Sequence, residues 1–272
     1  MHPLLNIATL AARAAGGNIM HHYSRIDQLN VEQKGKNDYV SEVDKEAENT
    51  IIQTIKKYYP EHHIMAEESG IKKGKKGIRG VSDIEWIIDP LDGTTNFLHQ
   101  FPQFCVSIAI REKGKIMHAV IFDPIRDEMF TATRGRGAFL NNHRIRISQQ
   151  TTLENALLAT GFPYKDFSYI DPYMSSLKAF MTSTAGIRRA GSAALDLAYV
   201  ACGRVDGYWE FNLKPWDIAA GSLLILEAGG LATDFKGGEN FLESGNIMAA
   251  NPKLFKEMAQ TITKTIPTEL RR

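Results

Sequence analysis

Apolar residues near the start of the chain recur at helical spacing. Leu4, Ala8, Ala11, Ala15 and Ile19 form one stripe, which predicts an amphipathic helix over residues 3–20. A second helix is predicted over 44–59, where Val43, Ala47, Ile51, Ile55 and Tyr58 return every three or four positions among charged neighbours. The stretch 70–83, containing KKGKKG, has no apolar period and reads as a solvated loop. Before it, Ile64 and Met65 suggest a short strand. Strand-length apolar runs follow at 85–89, 105–111, 116–122 and 129–133, set apart by glycine, proline and charged turns. The segment RGRGAFLNNHRIRIS then predicts a hairpin turning at Asn141-Asn142, with Arg144 and Arg146 alternating against Ile145 and Ile147.

Past residue 150 the pattern changes to helices mixed with strands. Strands are predicted at 157–160, 207–211, 231–234 and 246–250, and helices at 171–184, 192–201 and 217–228. A last helix opens with Asn251 as its cap and Pro252 at its first position. Strands arrive in runs rather than alternating strictly with helices, which favours a layered α/β fold with mixed or antiparallel sheets over a simple Rossmann array. The expected organisation is two halves, 1–150 and 151–272, joined as one compact unit.

Composition narrows the function classes. Of 272 residues, 43% are hydrophobic and 23% charged, enough to bury a large core, so disorder is excluded as the main state. Thirty-two Lys and Arg against 31 Asp and Glu leave a formal charge of +1, so no global field draws the protein to nucleic acid or to an anionic membrane. No apolar run approaches the roughly 18 residues that a membrane helix needs, and Arg13 interrupts the stretch where a signal core would continue. Cys105 and Cys202 are too few for a disulfide scaffold or a cysteine-rich zinc site, which suits a reducing cytoplasm. The pairs His21-His22 and His62-His63 point along diverging directions and read as surface residues.

The most informative segment is WIIDPLDGTTNF, residues 86–97. An apolar strand ends at Asp89, Pro90 fixes the backbone and Asp92 follows, so two carboxylates converge past a sheet edge. Such oxygen-rich clusters suit Mg²⁺, which keeps some water and takes substrate phosphate as a further ligand. Gly93 permits close approach, and the amides of Gly93 and Thr94 offer donors to a phosphate oxygen. Plainer roles exist for each part. Asp-Pro and Asp-Gly are common turn dipeptides, and Asp44, Asp92, Thr94, Ser192 and Asp217 are all suitable helix caps. Glu210 can be an edge-strand charge.

Taken together, these residues resemble the signature of the inositol monophosphatase family. Asp44 after NDYVSEV, Glu67-Glu68-Ser69 and WDIAAG, residues 216–221, fall in the family's order, so the likeness spans nearly the whole chain. GKNDYVSEVDKEAE, RRAGSAALDLAYVACGRVDGYWE and KPWDIAAG are similar to the bacterial SuhB-type members. The resemblance implies a layered α/β/α/β/α sandwich and Mg²⁺-dependent hydrolysis of inositol-1-phosphate and related polyol or sugar monophosphates by metal-activated water. Glu67, Asp89 and the Leu91 carbonyl would hold one Mg²⁺, and Asp89, Asp92 and Asp217 a second. A third, weaker ion would lie near Glu67. Thr94 would orient the attacking water, with Asp44 accepting its hydroxyl hydrogen and Glu67 sharing the proton. The backbone at Gly191, Ser192 and Ala193 would face the ring, with Glu210 and Asp217 on its hydroxyls.

Most metal ligands would therefore come from the first half, and the substrate contacts with one ligand from the second. Lys34 and Lys36 both offer themselves for the single lysine of the family's metal loop, and TGFPY around Gly161 stands where animal members carry a serine contact. Also implied are lithium sensitivity, a homodimer and, for SuhB-type members, a role in ribosomal-RNA antitermination through Nus factors and RNA polymerase. Fructose-1,6-bisphosphatase, histidinol-phosphatase and 3′-nucleotide phosphatase activities occur in the same superfamily.

Overall fold

A computed structural model describes residues 2–26, 31–35, 38–75, 82–163 and 167–271, with side chains from residue 42 onwards after the first gap. In chain order the elements are α1 (Pro3–Tyr23), β1 (Val31–Gly35), β2 (Asp38–Ser41), α2 (Glu42–Tyr58), β3 (His63–Ala66), β4 (Gly70–Lys72), β5 (Ile84–Asp92) and α3 (Thr94–Leu98). Next come β6 (Cys105–Glu112), β7 (Lys115–Asp123), β8 (Glu128–Thr133), β9 (Gly137–Leu140), β10 (His143–Arg144) and β11 (Leu157–Thr160). The remainder is α4 (Ile170–Met181), β12 (Gly186–Arg188), α5 (Ala193–Ala201), β13 (Gly207–Glu210), α6 (Pro215–Glu227), β14 (Leu231–Thr233), α7 (Phe241–Ser244), β15 (Ile247–Ala250) and α8 (Pro252–Thr265).

Two sheets organise the molecule. An eight-stranded sheet runs β10-β9-β8-β7-β6-β5-β3-β4, antiparallel except where β3 lies parallel to β5. A five-stranded mixed sheet runs β12-β11-β13-β15-β14. Helices α1 and α2 cover the outer face of the large sheet, α5 and α6 lie between the sheets, and α4 and α8 cover the outer face of the small one. This is the α/β/α/β/α order of a layered sandwich.

Strand alternation assigns each face its own core. On β6, Val106, Ile108 and Ile110 join the core under α1 and α2, whereas Cys105 and Ala109 join the central one. On β13 and β15, Tyr208, Ile247 and Ala249 point to the central core, and Trp209, Met248 and Ala250 to the third core under α4 and α8. The central layer carries small residues for a steric reason. A Cβ on Gly221 would meet Leu197 at 2.5 Å, so glycine there lets α6 approach α5 closely.

Most predicted elements are present, and the differences have local causes. The hairpin turns at Asn141-Asn142 with φ of 47° and 68°, the positive pair that a tight two-residue turn requires. The helix expected over 171–184 stops at Met181 because Thr182, Ser183 and Thr184 turn their hydroxyls back onto Lys178, Ala179 and Phe180 carbonyls. Part of the expected loop 70–83 is strand: Gly70–Lys72 pairs with β3, while 76–81 lie outside the described residues. His62 is a correction, since it is buried rather than on the surface. It stacks on Tyr59, and its Nδ1 accepts the Trp86 indole N–H at 3.0 Å.

Candidate active site

The strand end that carries Asp89 and Asp92 is irregular. Asp89 pairs with Ser107 and Asp92 with Cys105, so three steps on β5 oppose two on β6, a bulge. Residues three apart in a regular strand face opposite sides. The extra residue brings both carboxylates to one cleft of about 560 Å³. Glu67 follows β3, whose parallel register with β5 delivers it to the same end, and its N–H bonds the Ile88 carbonyl at 3.2 Å.

Gly93 completes the turn with φ of 99°, and a Cβ there would lie 2.8 Å from the Gln103 carbonyl, so both conformation and space require glycine. It occupies the cap position of α3, leaving Thr94 inside the helix rather than capping it. Thr94 instead donates its hydroxyl to Asp44 Oδ1 at 2.8 Å, with the Leu91 carbonyl at 3.1 Å as a second acceptor. Asp44 itself is buried in the first turn of α2.

Residues beyond 150 supply further lining of the cleft. Ser192 caps α5 and also donates to Asp92 Oδ2 at 2.7 Å, while the Ala194 N–H reaches the same oxygen at 2.7 Å. Asp92 thus sits on the positive end of α5. Gly191 precedes the cap with φ of 90°, and Asn96 ties this loop to α3 by donating to the Ala190 and Gln103 carbonyls. Asp217 is not the cap of α6. It lies two residues beyond Pro215, and its Oδ2 accepts the Lys214 N–H at 2.7 Å. Glu210 ends β13, the middle strand of its sheet, so the edge-strand reading is also corrected. Its carboxylate accepts the Tyr208 hydroxyl and covers Gly161, where a Cβ would fall 1.9 Å from Glu210 Oε1.

Glu67, Asp89, Leu91, Asp92, Gly93, Thr94, Gly191, Ser192, Ala193, Glu210 and Asp217 all line this one cleft, and Asp44 reaches it through Thr94. The segment with Lys34 and Lys36 lies outside the residues whose side chains are described. Two further residues, Arg189 and Asp196, also line the cleft, and Asp196 carries no signal in the sequence that sets it apart from an ordinary first-turn acid.

Electrostatics of the cleft follow from crowding. Burial raises the Asp89 carboxyl well above the usual range, and Glu67, Asp92 and Asp217 push it further. Asp217 is raised in the same way, by burial and then by Glu67 and Asp92. Among the described residues no basic side chain figures among the influences on either acid. Among the described residues no three Asp, Glu, His and Cys side chains already hold the spacing of a metal centre. The donor set nonetheless fits a hard divalent cation, with carboxylate oxygens, a backbone carbonyl at Leu91 and room for water and an anion.

Residues 1–267 match the inositol monophosphatase family. A Nus factor SuhB of Pseudomonas aeruginosa is 52% identical over 275 residues and covers all of both chains. A suhB extragenic suppressor protein of Bartonella henselae has a crystal structure that superposes with a TM-score of 0.93 at 43% identity, over 97% of this chain and 100% of that one. An inositol monophosphatase from Anabaena gives a TM-score of 0.81 at 37% identity, over 98% and 97% of the two chains.

Proposed function

This chain belongs to the inositol monophosphatase family, and from that premise we propose that it hydrolyses inositol-1-phosphate and related polyol or sugar monophosphates with Mg²⁺. The observation that carries this reading is the meeting of Glu67, Asp89, Asp92 and Asp217, from three separate stretches, in one cleft beside the Asp44–Thr94 hydrogen bond. Glu67, Asp89 and the Leu91 carbonyl would hold one ion, Asp89, Asp92 and Asp217 another, with a third near Glu67. Such ions supply charge neutralisation at the phosphoryl group and acidify water, which answers the two reasons why phosphate monoesters hydrolyse slowly.

The chain's own groups have separable tasks. Thr94 gives its hydroxyl hydrogen to Asp44, so its oxygen keeps lone pairs with which to orient a water molecule. Glu67, at the same strand end, is placed to share the proton that the water releases. The amides of Gly93 and Thr94 have no partner within the short helix they open and can hold a phosphoryl oxygen. Across the cleft, the Gly191–Ser192–Ala193 backbone, Glu210 and Asp217 face the alcohol. Glu210 is shifted up to about 7, chiefly by burial, so near neutrality it can both accept from and donate to a hydroxyl.

Release of phosphate from inositol-1-phosphate, fructose-1,6-bisphosphate, histidinol phosphate and an adenosine 3′,5′-bisphosphate, with and without Mg²⁺, tests this. The expected result is Mg²⁺-dependent turnover fastest on inositol-1-phosphate and inhibited by Li⁺. Equal rates without any divalent ion would sink it. The name Nus factor carried by relatives 51–52% identical over their full length favours a second role, contact with Nus factors or RNA polymerase in the cytoplasm, by a homodimer. Asp92→Asn protein that has lost turnover yet still captures these partners would show that the two roles are separable. Capture by neither wild type nor variant removes the second.

A further inference from the structure

One buried acid in the cleft has no task in the mechanism above. Asp196 is 3% exposed, yet it lines the cleft together with Asp92 and Glu210. Its N–H bonds the Ser192 carbonyl at 3.0 Å, which sets it one turn along α5 from the residue that holds Asp92. Residues four apart share a helix face, so Asp92, Ser192 and Asp196 follow one another along the wall towards Glu210.

Asp196 differs from its neighbours in that, among the described residues, its carboxyl group takes no donor from the protein. Asp92 takes donors from Ser192 and Ala194, Asp217 takes the Lys214 N–H, and Glu210 takes the Tyr208 hydroxyl. No donor among the described residues hydrogen-bonds the Asp196 carboxyl group, which feels the Glu210 and Asp92 carboxylates and, in the other direction, the Arg189 guanidinium. Among the described residues the fully buried side-chain atom without a partner is Gln103 Nε2, not an Asp196 oxygen, so the unbonded Asp196 carboxyl opens to the cleft and presents an acceptor to whatever enters it.

Resting on the phosphatase reading, we propose that Asp196 is a specificity-determining residue that takes a ring hydroxyl of a cyclic polyol phosphate beyond the one Glu210 takes. Two carboxyl groups lining one cleft read two hydroxyls held in fixed relative directions. A site built to pair a hydroxyl discriminates strongly against substrates lacking it.

The test compares kcat/KM for inositol-1-phosphate with that for p-nitrophenyl phosphate, which has no hydroxyl to offer. Asp196→Leu should lower this ratio at least tenfold, mainly through a raised KM for the inositol ester. Asp196→Asn keeps an acceptor and a donor and should lower it less than threefold. A role confined to structure predicts the reverse pattern, equal losses on both substrates with a lowered Tm. Replacing a carboxyl that no protein donor bonds by an apolar side chain should instead hold the Tm. An unchanged ratio in both Asp196→Leu and Asp196→Ala overturns the proposal, as does an equal loss on both substrates. If wild type hydrolyses p-nitrophenyl phosphate but discriminates no cyclic polyol phosphate, this inference fails and the phosphatase reading stands. If wild type hydrolyses neither substrate, both fail together.

Discussion

His62 shows how one side chain couples burial to pH. Its Nδ1 accepts the Trp86 N–H, which fixes the remaining proton on Nε2, and burial lowers its pKa. An imidazole held below its ordinary value takes up protons more readily once the chain unfolds, so stability falls as pH drops from about 6.5 towards the lowered folded value. His118 behaves likewise, shifted down to about 4 by burial. We expect Tm to decline between pH 7 and pH 5, and His62→Gln, which keeps an acceptor for Trp86, to decline less steeply. Parallel slopes for the two proteins in a thermal melt series would contradict this account. The burial of His62 was not readable from the His62-His63 pair, because two neighbours in sequence say nothing about which of them faces the core. Asp196 was hidden for a similar reason: in AGSAALDL it resembles an ordinary first-turn acid until α5 is seen to form a cleft wall.

At the scale of elements, the bulge in β5 and the cap of α5 act as a unit. The bulge aims Asp92 out of the strand, and the start of α5 receives it through Ser192 and Ala194. Ser192→Ala removes a capping acceptor as well as a donor to Asp92. We expect a loss of about 1 kcal/mol in unfolding free energy, read as a lower urea midpoint with unchanged slope, together with reduced phosphate release. No change in either quantity would count against the coupling. The elements that carry these groups were legible because their apolar periods are strong: β5, β6, β7, α2 and α6 all lie within a few residues of expectation. What was not legible were the three-residue strands β4 and β12, too short to show a period, whose existence depends on a neighbouring strand with free backbone groups. The convergence of acids from Glu67 to Asp217 was visible only as a resemblance, since spacing along the chain does not set distance across it.

For the molecule as a whole, the crowded acids set a thermodynamic signature. Asp89 and Asp217 repel and are repelled by their neighbours with no compensating base among the described residues, so a divalent ion should bind the folded chain far better than the unfolded one. At Mg²⁺ one hundredfold above its Kd the gain is about 2.7 kcal/mol, which for a chain of this size raises Tm by roughly 5 °C. Asp89→Asn should abolish most of that rise, and a Mg²⁺ response equal in wild type and variant would show that the ions bind elsewhere.

The helix pair between the sheets has a consequence for synthesis on the ribosome. All eight strands of the large sheet have been made once residue 144 is joined, but the helices that cover its inner face span residues 193–227. Until those emerge, Ile87, Ala109, Ile121 and Phe130 lack their cover. The nascent chain therefore passes through a sticky interval of several dozen codons, during which slow translation or a scarcity of chaperones should cost yield more than any later step.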